Sequence, residues 1–252
     1  MVDELQLLID LHKDASRQGP GGDDETRHAI ALSGLKGATN LKIADIGCGT
    51  GASTLVLAKE LDAHITAVDF LPDFLVKLEE AAGRADLADC ITTLCATMET
   101  LPFTEAAYDA IWSEGAIYNM GFAAVIEAWR KYLKPNGILA VSEMTWLTDQ
   151  RPEKLQAHWQ REYSEVDTAA AKMAVLERLG FSPIGYFPLP EYCWLDNYYR
   201  PMQQRFTEYL HRNNNSEPAR AMVLAEKTEI SLYEQHKAFL SYGYYIARKI
   251  DG

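Results

Sequence analysis

Bases, cysteines and long apolar runs are the scarce features of this chain. Its 252 residues carry 24 Lys and Arg against 36 Asp and Glu, a net charge of −12, and no Lys/Arg run exceeds two. Nucleic-acid affinity comes from bases neutralising phosphates, so a polyanionic partner is excluded on charge. No run of about 18 apolar residues exists, so no membrane span is expected. Met1 to Asp14 alternates Leu pairs with Asp, Glu and Lys and does not read as a signal peptide. The four cysteines, Cys48, Cys90, Cys95 and Cys193, form no CxxC, and the six histidines form no HxxxH. That spacing offers no metal site and fits free thiols in a reducing, cytoplasmic compartment. What remains, 48% hydrophobic and 24% charged, is an ordinary globular composition.

Between residues 41 and 145 short apolar runs alternate with helical spacing. LKIADI (41–46), HITAVD (64–69), CITTLC (90–95), YDAIWS (108–113) and GILAVSE (137–143) read as strands. Such alternation predicts an α/β, doubly wound fold, with a mostly parallel sheet covered by helices on both faces. Asp3 to Ser16 reads as a helix, and the Gly/Pro-rich stretch after it as a flap within an N-terminal segment, 1–40, one of two candidate lids with the helical hairpin at 194–239. Helical patterns follow at 153–163 and 168–179, then a strand at 181–187. A helical hairpin, 194–239, breaks at 212–218, and a seventh strand is expected at 241–250. No linker or repeat divides residues 1–252, which read as one domain.

The first strand runs into DIGCGTG (45–51). A strand, a glycine-rich turn and a helix start place backbone N–H groups before a ligand. Gly47, Gly49 and Ala52 satisfy the dinucleotide pattern G-x-G-x-x-G/A, and Asp69, at the end of the second strand, stands where a ribose-binding acid belongs. An NAD(P)-dependent oxidoreductase is therefore one reading. Asp45 favours another, because a carboxylate beside a pyrophosphate is repelled. S-adenosylmethionine has no phosphate, and its ammonium and sulfonium suit an acidic pocket. A binding or sensing protein that keeps the loop without turnover is a third reading. YEQHK (233–237) also fits the Tyr-x-x-x-Lys pair of short-chain dehydrogenases, but late in the chain and without their glycine spacing.

DIGCGTG, AVDF (67–70), METLPF (98–103), YDAIWSEGAIYNM (108–120) and LKPNGILAVSE (133–143) follow one another in the order seen in class I S-adenosylmethionine-dependent methyltransferases. The chain resembles that family, and its ubiquinone/menaquinone methyltransferase-like, small-molecule branch most. The resemblance implies a seven-stranded sheet ordered 3-2-1-4-5-7-6 with strand seven antiparallel, and a cofactor-binding core at 41–145. It also implies S-adenosyl-L-methionine as cofactor and in-line methyl transfer to a small acceptor. The cofactor contacts it implies are Asp45, Gly47, Cys48, Gly49, Gly51, Asp69, Phe70, Met98 and Ser113. Thr97 stands where the family usually has an adenine-binding Asp, a departure in which a hydroxyl or backbone group would replace the carboxylate. Glu114 is the best-placed general base and Tyr118 an orienting group, with His12 and His28 as weaker bases. Trp112, Tyr118, Trp146, Tyr192, Trp194, Tyr198 and Tyr199 gather where an acceptor should lie, which suits a flat, apolar or cationic molecule. The acceptor, the atom methylated, the use of a general base, the segment that acts as lid and homodimer formation stay open.

Overall fold

A computed structural model describes residues 4–250. Eight strands form one sheet: β1 (Leu41–Ile46), β2 (Ala63–Asp69), β3 (Ile91–Cys95), β4 (Tyr108–Glu114), β5 (Leu133–Trp146), β6 (Asp167–Thr168), β7 (Phe181–Pro188) and β8 (Leu240–Lys249). Their order is β3-β2-β1-β4-β5-β8-β7, with the two-residue β6 against the far end of β5. Apart from β6 this is the order that the resemblance implied, and β8 runs antiparallel to both neighbours.

Side-chain alternation explains why the sheet is covered on both sides. Ile43, Trp112 and Ala140 belong to one buried cluster, while their chain neighbours Ala44, Ile111 and Leu139 belong to another. Successive residues of a strand point to opposite faces, so strands apolar at every position must be buried twice. On the first face lie α1 (Glu4–His12), α2 (Asp23–Ser33) and α3 (Ala52–Glu60), with Leu7, Ile30 and Leu57 in the core. α4 (Pro72–Arg84) starts on a proline, whose fixed φ suits a first helical turn, and buries Leu75 and Leu78 against Ala67 of β2. On the second face α5 (Phe122–Trp129) and α7 (Ala169–Arg178) bury Ile126, Trp129 and Leu176. α6 (Glu153–Glu162) lies between β5 and β6 in the chain.

The predicted hairpin is present between β7 and β8. α8 (Glu191–Trp194) passes through a π-turn, Leu195–Tyr199, into α9 (Arg200–Arg212), and α10 (Glu217–His236) returns. Several boundaries differ from the sequence reading. The first helix stops at His12 rather than Ser16, and Asp3 lies outside the described residues. β5 begins at Leu133, because the turn through Pro135 and Asn136 (φ 60°) is a bulge against β4 rather than a strand start. Pro183 interrupts β7, which is tolerated because β7 is an edge strand.

Candidate active site

The strand order reverses between β1 and β4, and ligands of open α/β sheets bind outside the carboxyl ends of strands at such a point. A cavity of about 500 Å³ opens there. Its floor is the glycine loop. Gly47 N and Cys48 N both donate to Val68 O, at 2.8 and 3.0 Å, which pins the loop to the end of β2. Gly47 has φ 73°, and a Cβ there would lie 2.4 Å from the Cβ of Ala116. Only glycine fits that position.

Asp69 lines the cavity beside the loop, buried, with Oδ2 accepting from Gly49 N at 2.9 Å and Oδ1 from Leu71 N at 3.0 Å. Burial raises its pKa, against the lowering effect of those N–H groups. Phe70, half exposed, and Met98 border the same end. Cys48 lines the cavity as a buried thiol whose pKa burial drives up, so it stays protonated and inert.

Asp45 lies behind the cavity wall rather than in it. It is fully buried, and its Oδ2 accepts from Ser53 Oγ (2.8 Å) and Thr54 Oγ1 (2.6 Å) in the first turn of α3. Oδ1 has no partner among the described residues. Burial pushes the carboxyl up to about 7, the two hydroxyls working against the shift. Ser53 does line the cavity, so it stands between Asp45 and any ligand. Gly51 (φ 90°) caps α3 away from the cavity, its space taken by Leu78. Ser113 is also set back, donating to Ile46 O at 2.6 Å and tying β4 to β1. Thr97 is exposed and bonded to Thr100, off the cavity wall.

Glu114 is not a free base. Its Oε1 accepts from Thr26 Oγ1 (2.7 Å), Tyr244 OH (3.0 Å) and Trp112 Nε1 (3.1 Å), and its Oε2 from Arg17 at 3.1 Å. Four donors converge on that carboxylate and make it an anchor. What it anchors is the stretch between α1 and α2. Gln18 Oε1 accepts from Thr50 N at 2.9 Å while its Nε2 donates to His12 O and Ala15 O. Gly21 O accepts from Asn197 Nδ2 at 2.8 Å. The flap read from the sequence thus lies docked across the glycine loop. His12 lines the cavity, but burial lowers its pKa to about 4, so it is neutral. His28 is exposed against Phe187, away from the cavity.

Of the aromatic residues singled out in the sequence, Tyr118, Trp194 and Tyr198 line the cavity. Trp112, Trp146 and Tyr199 are buried elsewhere in the core, and Tyr192 reaches out to bond Glu25. Sequence reasoning missed Trp159, Tyr163 and Tyr242, and with them Glu162, Glu226 and Glu229. A signal existed for one: the buried stripe of α10 runs Ala219, Val223, Ile230, Tyr233, and Glu226 sits in its gap. An acid on an apolar stripe is worth explaining. Tyr233 is itself stacked on Trp194 with its pKa raised by burial, and Lys237 bonds Glu191 at 2.6 Å. The two do not make a dehydrogenase pair. No group of three or more potential metal ligands occurs among the described residues, and no described helix is long and apolar enough to cross a membrane.

Residues 43–137 match the family model of a methyltransferase domain. The crystal structure of an S-adenosylmethionine-dependent methyltransferase from Geobacter sulfurreducens, in complex with S-adenosyl-L-homocysteine, superposes with a TM-score of 0.85 over 99% of this chain and 100% of that one, at 18% identity. The fold is that of class I methyltransferases. In sequence, 65% of the chain is 25% identical to 32% of a phosphoethanolamine N-methyltransferase from Triticum aestivum. A 27-O-demethylrifamycin SV methyltransferase from Amycolatopsis mediterranei is 26% identical over 48% of the chain and 44% of its own length. The chain thus spans about a third to a half of these curated relatives, and their acceptor atoms differ.

Proposed function

We propose, with the methyltransferase domain at residues 43–137 as premise, that this protein transfers a methyl group from S-adenosylmethionine to a small-molecule acceptor by in-line displacement. The observation that carries the reading is the charge of the cavity. Of all Lys and Arg among the described residues, Arg17 alone lines it, and Glu114 and Asp23 hold that guanidinium. A pyrophosphate placed on this loop meets Asp69 and, behind Ser53, Asp45. A ligand with an ammonium and a sulfonium meets the same acids favourably.

The residues fit the donor. Asp69 spends one lone pair of each oxygen on the backbone and keeps the others for ribose hydroxyls. Phe70 and Met98 flank the adenine, a place Thr97 does not reach. Arg17 takes the amino-acid carboxylate, and Ser53, polarised by Asp45, faces the ammonium. Bound there, S-adenosylmethionine supplies an electrophilic methyl group. The chain's own part is to align the acceptor through Tyr118 and to exclude water with the docked stretch between α1 and α2. Residues 1–252 act as one such unit in this reading, in a reducing cytoplasm that keeps the free cysteines reduced.

Titration calorimetry with S-adenosylhomocysteine and with NADH tests the proposal. Binding of the thioether is expected, and binding of NADH alone would overturn methyl transfer in favour of a dehydrogenase. Asp69→Ala should weaken S-adenosylhomocysteine by about 1–3 kcal/mol through lost charged hydrogen bonds. An unchanged affinity refutes the ribose role.

A further inference from the structure

The end of the cavity away from the glycine loop has a chemistry that the donor does not use. Glu226 and Glu229 project from α10, one turn apart, and Glu162, half exposed and paired with Arg161 at 3.3 Å, closes α6. Aromatic rings surround these acids. Tyr118 and Tyr163 meet edge to face with centroids 6.4 Å apart, and Tyr198 stacks on His12 at 6.3 Å. Glu229 Oε1 accepts from Tyr199 OH at 2.9 Å. Arg17, held by Glu114 and Asp23, is the one lysine or arginine among the described residues that lines the cavity.

The carboxylates are uncomfortable as they stand. Burial, and then the charge of Glu229, push Glu226 up to about 7, and burial raises Glu229 in spite of its tyrosine hydroxyl. Two further polar groups on the cavity wall lack partners. Trp159 Nε1 and His12 Nδ1 belong to side chains only 9% and 6% exposed and bond to nothing described. Neighbouring half-buried carboxylates such as Glu226 and Glu229, with no ion pair among the described residues, are costly, and a ligand that supplies the cation removes the cost. The faces of tyrosine and tryptophan rings attract the same ligand once it is desolvated. A phosphorylated or carboxylated acceptor would add like charge to that of Glu162, Glu226 and Glu229.

We propose that this end of the cavity is the acceptor subsite and that it takes a small amine as its ammonium ion, without a phosphate, for methylation on nitrogen. The inference rests on the methyl-transfer reading only for the reaction, not for the cation site. The ammonium first gives its proton to the carboxylate of Glu226. The freed lone pair on nitrogen then forms the N–C bond as the C–S bond breaks, its electron pair staying on sulfur. A positive sulfonium thus becomes a neutral thioether and the nitrogen carries the charge. Tyr118 lines the same cavity and in this proposal borders the line of attack.

Calorimetry on the whole protein decides it, with choline as probe and 3,3-dimethylbutan-1-ol as its uncharged isostere. Choline should bind roughly tenfold tighter or better, the scale of a desolvated cation–aromatic contact. The double variant Glu226→Gln, Glu229→Gln should erase that advantage while binding S-adenosylhomocysteine as before, which also reports that it is folded. Equal binding of the two probes, or phosphocholine binding better than choline, overturns the inference. S-adenosylhomocysteine is titrated separately. If it fails to bind while choline prevails over the isostere, the methyl-donor reading falls and the cation site stands. If it binds while choline does not prevail, the cation site falls alone. Silence from both overturns both.

Discussion

Glu114→Ala is expected to lower the unfolding free energy by about 3–5 kcal/mol, the range for removing one partner of a buried ion pair. The guanidinium of Arg17 and the carboxylate of Glu114 are both about nine-tenths buried, 10% and 8% exposed, at 3.1 Å. Truncation leaves Arg17 with Asp23 alone, an exposed acid of weak hold. It also orphans Trp112 Nε1 and Tyr244 OH, which have no other acceptor among the described residues, whereas Thr26 keeps Gly22 O at 3.2 Å. Urea denaturation followed by tryptophan fluorescence measures the difference. A loss below about 1 kcal/mol, as for an exposed side chain, together with a large drop in turnover, would restore Glu114 to the role of a base. Proteolysis should report the same event locally, since the stretch between α1 and α2 loses its anchor on β4 and opens before the rest of the fold.

Gly47→Ala carries the second large effect, about 2–5 kcal/mol of stability and most of the ligand affinity. Two costs add. A left-handed φ of 73° strains an alanine by roughly 1–2 kcal/mol. The new methyl also lands 2.4 Å from the Cβ of Ala116, and overpacking of this kind costs about 1–3 kcal/mol. The only relief is to push apart the loops after β1 and β4, and these form two walls of the cavity. Thermal unfolding and S-adenosylhomocysteine titration check both parts. A variant with native melting temperature would show that the loop carries no such constraint. Gly37 is a useful control: its φ is 87° but a Cβ there meets nothing within 4 Å, so alanine should cost the backbone strain alone.

Strands buried on both faces announce themselves, because Ala110, Ile111 and Trp112, and Ile138, Leu139 and Ala140, are consecutive apolar residues. The order of the sheet came from resemblance, and periodicity alone would have left it open. β6 is two residues long and has no pattern to read. The glycine loop was legible for a local reason: positive φ and close approach both demand glycine within a few residues of chain. The docking of Gln18 and Arg17 was not, since it joins residues 32 and 97 positions apart and depends on the register of β4 against β1. Glu114 looked like a base because a sequence shows the end of a strand but not the donors that converge on it. The acids of the acceptor end were hidden similarly. Glu162, Glu226 and Glu229 border one cavity only after α6 and α10 are folded, and a surface acid and a pocket acid look alike until then.

The antiparallel β8 occupies an inner place in the sheet, bonded along its length to β5 on one side and β7 on the other. A ribosome must therefore deliver residues 240–249 before either neighbour finds its partner. Until then β5 and β7 present bare edges, while strands β1 to β4 can already assemble. Nascent chains stalled before residue 240 should accordingly engage chaperones, and release of those chains should track the arrival of that one strand.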